Sequence, residues 1–278
     1  MKTFFSTNAN AKINLGLKVI SKRNDGFHNI ESIFIEINIC DTISFTPSKK
    51  FKLSCDDKLI PIDEKNTIYK AYSILRKKYN FKSQYEIFLK KNIPTCAGLG
   101  GGSSNAACII NTLNKLENLN LSLSQKLDIA LSIGCDVPFF IEGGVKLVRG
   151  RGEIILPINH SILKNIYIIL ILPSFTISTE WAYHNLKNNL DENIYCDKFP
   201  PLDEYTDWKF FKNDFEDVVD LTYPEILEIK KFLYNNGALY SGLSGSGSTM
   251  FGIYNDKTLI EEIQKKIIKY KTIIVSPI

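Results

Sequence analysis

The stretch Gly98-Leu99-Gly100-Gly101-Gly102-Ser103-Ser104 constrains this chain more than any other. An alternating apolar segment, Tyr85 to Leu89, and then Pro94 precede it, and apolar residues at helical spacing follow it. The glycines are therefore predicted to lie between a strand and a helix. Glycine allows close approach of a ligand to the backbone, and the helix start presents unpaired N–H groups and the positive end of its dipole. Because Ser103 and Ser104 can cap this helix or donate hydrogen bonds to an anion, the stretch is predicted to bind phosphate.

Other glycine-rich loops do not match. A Walker A loop requires Lys before Ser or Thr, and no glycine from Gly98 to Gly102 is followed by Lys. The third glycine of the dinucleotide fingerprint and of the protein-kinase loop would fall on Ser103. A merely flexible helix entry remains an alternative. Three consecutive glycines make it less favourable, because each glycine costs roughly 1 kcal/mol of chain entropy.

Composition indicates a soluble globular protein. The 278 residues are 44% hydrophobic and 23% charged, which suits one domain or two closely packed domains. The net charge of +4 is mild and scattered, which favours small anions over nucleic acid. Six cysteines without a C-x-x-C pair indicate reduced thiols, and no apolar run is long enough to cross a membrane. We expect a cytoplasmic location, with neither nucleic acid nor a membrane as partner.

Periodicity and turn residues predict an alternation of strands and helices. Lys12 and Asn14 share the polar face of a first strand, for which a solvated surface is the alternative reading. Asn66 is a candidate helix cap, and Asp136 follows a helix that Gly134 ends. The predicted strands are 11–20, 32–39, 85–89, 166–172 and 272–275. The predicted helices begin near 66, 103, 122 or 124, 178, 224 and 257, and 191–207 is predicted to be a loop.

The segment from Pro94 to Ala107 resembles the ATP-binding loop of the GHMP kinases, the superfamily of galactokinase, homoserine kinase and mevalonate kinase. Two further motifs are similar to those of one branch of that superfamily. One combines Ala11-Lys12-Ile13-Asn14-Leu15 with Asp25-Gly26-Phe27-His28, and the other runs from Gly134 to Phe140. The glycine cluster around Gly245-Ser246-Gly247 resembles the third motif of the whole superfamily. The resemblance runs from about Ala9 to Pro277 with the motifs in order.

The resemblance implies an α+β chain with the two-domain GHMP kinase fold. An N-terminal domain of the ribosomal protein S5 domain 2-like type is expected over residues 1–155 and a ferredoxin-like α/β sandwich over residues 156–278. The implied reaction is ATP-dependent phosphorylation of the 2-hydroxyl of a cytidine diphosphate-linked methylerythritol in the non-mevalonate isoprenoid pathway. Mg²⁺ would accompany the nucleotide, no side chain is assigned to a metal, and a monomer or homodimer is expected.

The resemblance also assigns residues. Lys12 and Asp136 are the expected catalytic pair, with Asp136 as base and Lys12 stabilising charge. The residues expected to bind ATP are Asn66, Pro94, Gly98, Leu99, Gly100, Gly101, Gly102, Ser103 and Ser104. Those expected to bind the substrate are Asn14, Phe27, His28, Phe34, Tyr183, Gly245, Ser246 and Gly247. Phe27 stands where the branch usually has tyrosine, which keeps a stacking face and loses a hydroxyl.

Three alternatives remain open at this point. Another GHMP kinase would share the glycine loop and lack the Asp25 to His28 hairpin. A nicotinamide-dependent dehydrogenase is disfavoured by the failed fingerprint. A non-catalytic nucleotide-binding module would bind ATP without turnover, and the presence of both Lys12 and Asp136 argues against it.

Overall fold

A computed structural model describes residues 5–186 and 202–278 of the chain. These residues form a mixed α+β structure with two sheets, which confirms the predicted fold class. The strands are β1 Phe5–Lys22, β2 His28–Ser48, β3 Lys52–Cys55, β4 Gln84–Lys90, β5 Val145–Gly150, β6 Ile154–Pro157, β7 Tyr167–Leu172, β8 Tyr240–Leu243, β9 Met250–Tyr254 and β10 Lys271–Val275. The helices are α1 Thr67–Tyr79, α2 Gly101–Leu116, α3 Leu123–Ile133, α4 Phe139–Glu142, α5 Thr179–Asn185, α6 Glu216–Thr222, α7 Pro224–Asn235 and α8 Lys257–Lys266.

Two compact units share the described residues, and each combines several stretches of chain. Of the described residues, unit 1 comprises 5–11, Ile39–Thr95 and Gly100–Gly143. Unit 2 comprises Lys12–Asn38, Cys96–Leu99, 144–186 and 202–278. The expected boundary between residues 155 and 156 stays a prediction.

Unit 1 packs helices around the antiparallel pair formed by β4 and the second half of β2, with β3 added in parallel to β4. Helix α1 begins where the Asn66 side chain accepts a hydrogen bond from the Ile68 amide, as the sequence predicts. Helix α3 begins at a capping box between Ser122 and Gln125. The buried face of α2, which includes Ile109 and Leu113, packs in this unit against α1, α3 and α4.

Unit 2 contains a second, fully antiparallel sheet in the order β10-β7-β9-β8. The apolar faces of α7 and α8, including Leu233 and Ile260, are buried in a core with Ile169 and Met250. In the same unit, the first half of β2 pairs antiparallel with β5, and β6 extends this sheet beyond β5. The predicted loop 191–207 lies mostly outside the described residues.

The structure corrects or refines three local expectations. Strand β2 continues past Asp41 to Ser48 and does not end at residue 39 as predicted. Asp41 is tolerated inside the strand because its fully buried carboxylate accepts hydrogen bonds from the backbone amides of Asn92 and Ile93, both at 2.8 Å. Helix α2 begins at Gly101 with Gly100 as its N-cap and no capping side chain, which excludes Ser103 and Ser104 as caps and leaves their other predicted role, hydrogen bonding to an anion. Gly134 ends α3 as predicted, in extended backbone with φ of −179°.

Candidate active site

Lys12 and Asn14 are buried, which excludes a solvated strand face. Only 3% of Lys12 and 1% of Asn14 are exposed. The Lys12 ammonium group donates hydrogen bonds to the Asn14 side-chain oxygen and, at 3.1 Å, to the carbonyl of Gly98. The amide of Asn14 donates in turn to the Ser32 hydroxyl at 3.0 Å. Burying an ammonium group is costly unless hydrogen bonds replace the lost water, and these two acceptors do so here. The buried lysine provides a positive charge whose field is screened less than at the surface.

The glycine loop starts in unit 2 at Cys96–Leu99 and continues in unit 1 from Gly100. Gly98 and Gly100 have φ angles of +74° and +70°, a region that favours glycine. A Cβ atom on Gly98 would lie 2.0 Å from the Ser244 carbonyl oxygen, so no other residue fits there. Helix α2 begins at Gly101 and no side chain caps its first turn, and the amide groups at such a helix start are a favourable position for an anion.

The loop Ser244–Thr249 connects β8 to β9 and packs against the start of the glycine loop within unit 2. The Ser244 hydroxyl donates at 2.9 Å to the Gly98 carbonyl, the same oxygen that Lys12 contacts. A Cβ atom on Gly245 would lie 3.6 Å from the Lys12 nitrogen and 3.5 Å from the Asn14 oxygen. The structure thus brings together Lys12, Asn14, Gly98 and Gly245, which are far apart in the sequence.

Ser246 and Gly247 complete this loop. The Ser246 hydroxyl lies 2.8 Å from the Thr179 hydroxyl, at the start of α5. Gly247 has φ of +96° and its amide donates to the Ser244 carbonyl at 3.0 Å. The loop is therefore a closed backbone turn with buried hydroxyl groups.

Aromatic residues form a second group in unit 2. Phe27, at the β1–β2 hairpin, is 45% exposed, and the Arg151 guanidinium carbon lies 5.0 Å from its ring centroid. His28 and Tyr183 stack on each other, with centroids 4.6 Å apart and planes at 19°. Burial, together with the charge of Lys22, lowers the pKa of His28. A neutral imidazole offers a nucleobase both a hydrogen-bond donor and a hydrogen-bond acceptor.

Phe34 differs from the other predicted aromatic contacts because it is only 1% exposed. The Lys12 nitrogen lies 4.9 Å from its ring centroid. Phe34 therefore packs beneath the lysine in this structure, and a contact with cytosine stays a prediction.

Asn66, Pro94 and Asp136 belong to unit 1. Asn66 uses its oxygen to cap α1 and donates its amide to the Pro61 carbonyl at 2.7 Å. Asp136 lies in the turn between α3 and α4, where the Val137 amide donates to the Gly134 carbonyl. The expected roles of these residues in ATP binding and proton transfer stay predictions.

Sequence reasoning overlooked several residues that support this site. The Ser32 hydroxyl accepts a hydrogen bond from the Asn14 side-chain amide and donates one to the Gly16 carbonyl at 2.6 Å. Asn213 donates to two carbonyls of the Leu243–Gly245 segment. Ser32 lies in an ordinary strand pattern and Asn213 in a polar segment without periodicity, so neither gave a signal. Ser244 belongs to a glycine cluster that the sequence did single out.

Comparisons with known proteins agree on one family. The family models for the GHMP kinases N terminal domain and the GHMP kinases C terminal match residues 66–144 and 205–272. The chain is 40% identical over 261 residues to a 4-diphosphocytidyl-2-C-methyl-D-erythritol kinase of Thermodesulfovibrio yellowstonii, covering 89% of each chain. It is 41% identical over 255 residues to the enzyme of that name from Azobacteroides pseudotrichonymphae, covering 88% of this chain and 91% of that one.

Solved structures give the same result. A crystal structure of 4-(cytidine 5'-diphospho)-2C-methyl-D-erythritol kinase superposes with a TM-score of 0.79 at 25% identity over 98% of each chain. A homoserine kinase from Cytophaga hutchinsonii shares the fold, with a TM-score of 0.77 at 18% identity over 100% of this chain and 96% of its own. On the strength of both family models and of relatives this similar along nearly their whole length, the chain belongs to the GHMP kinases and, within them, to the 4-diphosphocytidyl-2-C-methyl-D-erythritol kinase family.

Proposed function

We propose that the chain transfers the terminal phosphoryl group of ATP to the 2-hydroxyl of 4-diphosphocytidyl-2-C-methyl-D-erythritol. Its family membership supports the reaction, since the relatives with this name match about nine-tenths of the chain. The observation that carries the assignment of the site is the hydrogen bond from Lys12 to the Gly98 carbonyl. This bond joins the first sequence motif to the glycine loop at a buried positive charge.

ATP is proposed to bind at the glycine loop. Gly98 to Gly102, with Ser103 and Ser104, would surround the phosphates with backbone amides and hydroxyl groups at the start of α2. The uncapped first turn of this 16-residue helix supports that role. Pro94 is proposed to lie beside ATP at the entry of the loop, and Asn66 is proposed to lie near the adenine.

Asp136 and Lys12 are proposed to act on the acceptor hydroxyl. In phosphoryl transfer the protein mainly positions the reactants and stabilises charge, so a carboxylate suffices as base when the proton leaves late. Lys12 would stabilise the developing negative charge on the oxygen. Its burial supports this role, because a charge acts more strongly where water is excluded.

The cytidine end of the substrate is proposed to lie against the aromatic group of unit 2. Phe27 offers an exposed ring for stacking, and His28 offers a neutral ring with hydrogen-bonding nitrogens. Tyr183 and Phe34 are proposed as further aromatic contacts. Asn14 and the Gly245-Ser246-Gly247 segment would hold the hydroxyl and diphosphate groups near Lys12.

Mg²⁺ is proposed to enter with ATP, bound to the phosphates, where it would neutralise their charge. Among the described residues, no group of three or more His, Cys, Asp or Glu side chains is placed to hold a metal ion, and we assign none to it. A cytoplasmic location and a monomeric or homodimeric state are part of the proposal. No helix within residues 5–186 and 202–278 has the length and apolar character needed to span a bilayer.

A coupled ADP-release assay tests the reaction. Purified protein should release ADP with the cytidyl substrate, and ³¹P NMR should show a new phosphate monoester at the 2-position. Methylerythritol phosphate without the cytidylyl group, homoserine and mevalonate serve as controls. Equal turnover of methylerythritol phosphate would show that the enzyme does not recognise the cytidine. Turnover of homoserine or mevalonate instead would show that the proposed substrate is wrong.

A further inference from the structure

The segment Lys212–Asp214 connects two parts of unit 2 that carry predicted site residues. On one side it lies along β1, where the Leu17 amide donates to the Lys212 carbonyl at 2.9 Å and the Asp214 amide donates to the Leu17 carbonyl at 2.8 Å. The Asp214 carboxylate also accepts the Val19 amide at 2.7 Å. The segment is thereby fixed to the strand that bears Lys12 and Asn14.

On the other side, Asn213 holds the loop between β8 and β9. Its side-chain amide donates two hydrogen bonds, both of 2.8 Å, to the carbonyls of Leu243 and Gly245. Its side-chain oxygen accepts the Phe215 amide at 3.0 Å. Asn213 is 3% exposed, so both amide hydrogens and the oxygen are committed to backbone partners away from water.

The two carbonyls that accept hydrogen bonds from Asn213 lie immediately before and within the predicted substrate loop. Gly245 is the residue that approaches Lys12 and Asn14, and Ser244, between the two carbonyls, donates to the Gly98 oxygen. Without the amide donors, two buried carbonyls would lose their partners and the loop would lose its link to β1.

We infer that Asn213 is a positioning residue for phosphoryl transfer, fixing the Ser244–Thr249 loop against Lys12 and Gly98. The inference rests on the proposed function, since it concerns how that site is held. A displacement of about 1 Å in such a site lowers the rate by up to about 100-fold, which is why a residue without substrate contact can control turnover.

Asn213→Asp tests this inference with little change in shape. The variant keeps an oxygen to accept the Phe215 amide and replaces the NH₂ group by an oxygen that faces two carbonyls. We expect kcat per folded molecule to fall by at least about tenfold, while KM for ATP changes by less than about threefold. Asn236→Asp is the matched control, because the Asn236 amide donates to the Phe232 carbonyl at 2.8 Å at the end of α7. Its kcat should stay within about twofold of the wild-type value.

Hydrogen exchange of the backbone amides provides a readout that does not require activity. In Asn213→Asp, the amides of Ser244, Gly247 and Thr249, which are hydrogen-bonded to Thr249, Ser244 and Ala97, should exchange faster. The amides of β10 should not change. Asn213→Ala, which introduces no charge, replaces the aspartate variant if that variant does not fold.

The outcomes separate this inference from the proposed function. Unchanged kcat, or unchanged exchange in the loop, would overturn the positioning role. The loop amides could also exchange faster, with fewer folded molecules, while kcat per folded molecule stays normal. Asn213 would then be a purely structural residue, and this result would also overturn the positioning role. If the wild-type protein lacks kinase activity, the proposed function fails, and the positioning role in phosphoryl transfer fails with it.

Discussion

The imidazole ring of His28 lies face to face with the phenol ring of Tyr183, and the ring centroids are 4.6 Å apart. Both residues are expected to contact cytosine, yet in this structure each covers one face of the other. Tyr183 also packs against Phe215, with ring centroids 4.8 Å apart and ring planes at 88°. A base can therefore stack on the shared face only when the two rings separate, whereas Phe27 already presents an exposed ring.

The pKa of His28 should make stability depend on pH. Burial and Lys22 lower this pKa below the ordinary value of 6.5, so the unfolded chain binds the proton more readily. As pH falls from about 7.5 to about 5, the free energy of unfolding of the wild type should fall more than that of His28→Gln. Urea unfolding at both pH values measures the difference. Lys22→Gln is the control: in this variant, NMR titration should show that the pKa of His28 rises toward its ordinary value. The same pH dependence of the free energy of unfolding in the wild type and in His28→Gln would contradict the prediction.

Gly98→Ala should destabilise the protein more than an equivalent change elsewhere. The new Cβ atom would lie 2.0 Å from the Ser244 carbonyl oxygen, and φ is +74°. Gly144 is the matched control, since its φ is +77° and no heavy atom lies within 4 Å of an added Cβ. We expect Gly144→Ala to lower the free energy of unfolding by about 1–2 kcal/mol because of the backbone alone, and Gly98→Ala to lower it by at least about 2 kcal/mol more. Urea unfolding measures both changes. Equal decreases in the two variants would mean that Gly98 is not closely packed.

Asp136→Asn should abolish most of the activity without unfolding the protein. If Asp136 accepts the proton of the acceptor hydroxyl, its amide variant should lose about 100-fold or more in kcat, because an amide cannot act as base. Asp128→Asn, at an exposed position in α3, should retain full activity. ADP release at saturating substrates measures both variants. A rate near the wild-type value for Asp136→Asn would exclude the assignment of this residue as base.

Asn66 should affect both helix stability and ATP binding if it lies near the adenine. Asn66→Ala removes the cap of α1 and should cost about 1 kcal/mol of stability, as should Ser122→Ala at the cap of α3. Only Asn66→Ala is expected to raise KM for ATP. Unfolding experiments and initial rates on the two variants distinguish a cap from a nucleotide contact. The same KM in both variants would leave Asn66 as a cap alone.

Local signals predicted much of the fold. The caps Asn66, Ser122 and Ser178 and the glycine clusters mark boundaries that the structure confirms, because a cap is satisfied by amides within three residues. Strand β2 was predicted too short because the partners that satisfy Asp41 lie about 50 residues away, at Asn92 and Ile93. A buried carboxylate looks like a turn residue until those partners are known.

For the site, the sequence identified the motifs and not the contacts that support them. The burial of Lys12 and its bond to Gly98 depend on packing between segments 86 residues apart. Asn213 could not be recognised, since nothing in a short polar segment indicates that its amide will meet the carbonyls of Leu243 and Gly245. Such residues become visible only when hydrogen bonds can be counted in three dimensions.

The pairing of Leu17 with the segment Lys212–Asp214 also sets the order of assembly during synthesis. Val19 and Asp214 are separated by 195 residues, so β1 leaves the ribosome long before the segment Lys212–Asp214 exists. Gly245, which approaches the Lys12 nitrogen, is translated later still, so the lysine lacks one of its final neighbours until most of the polypeptide has been made. A nascent chain arrested before this segment should leave the Lys12 side chain more exposed than it is in the complete protein.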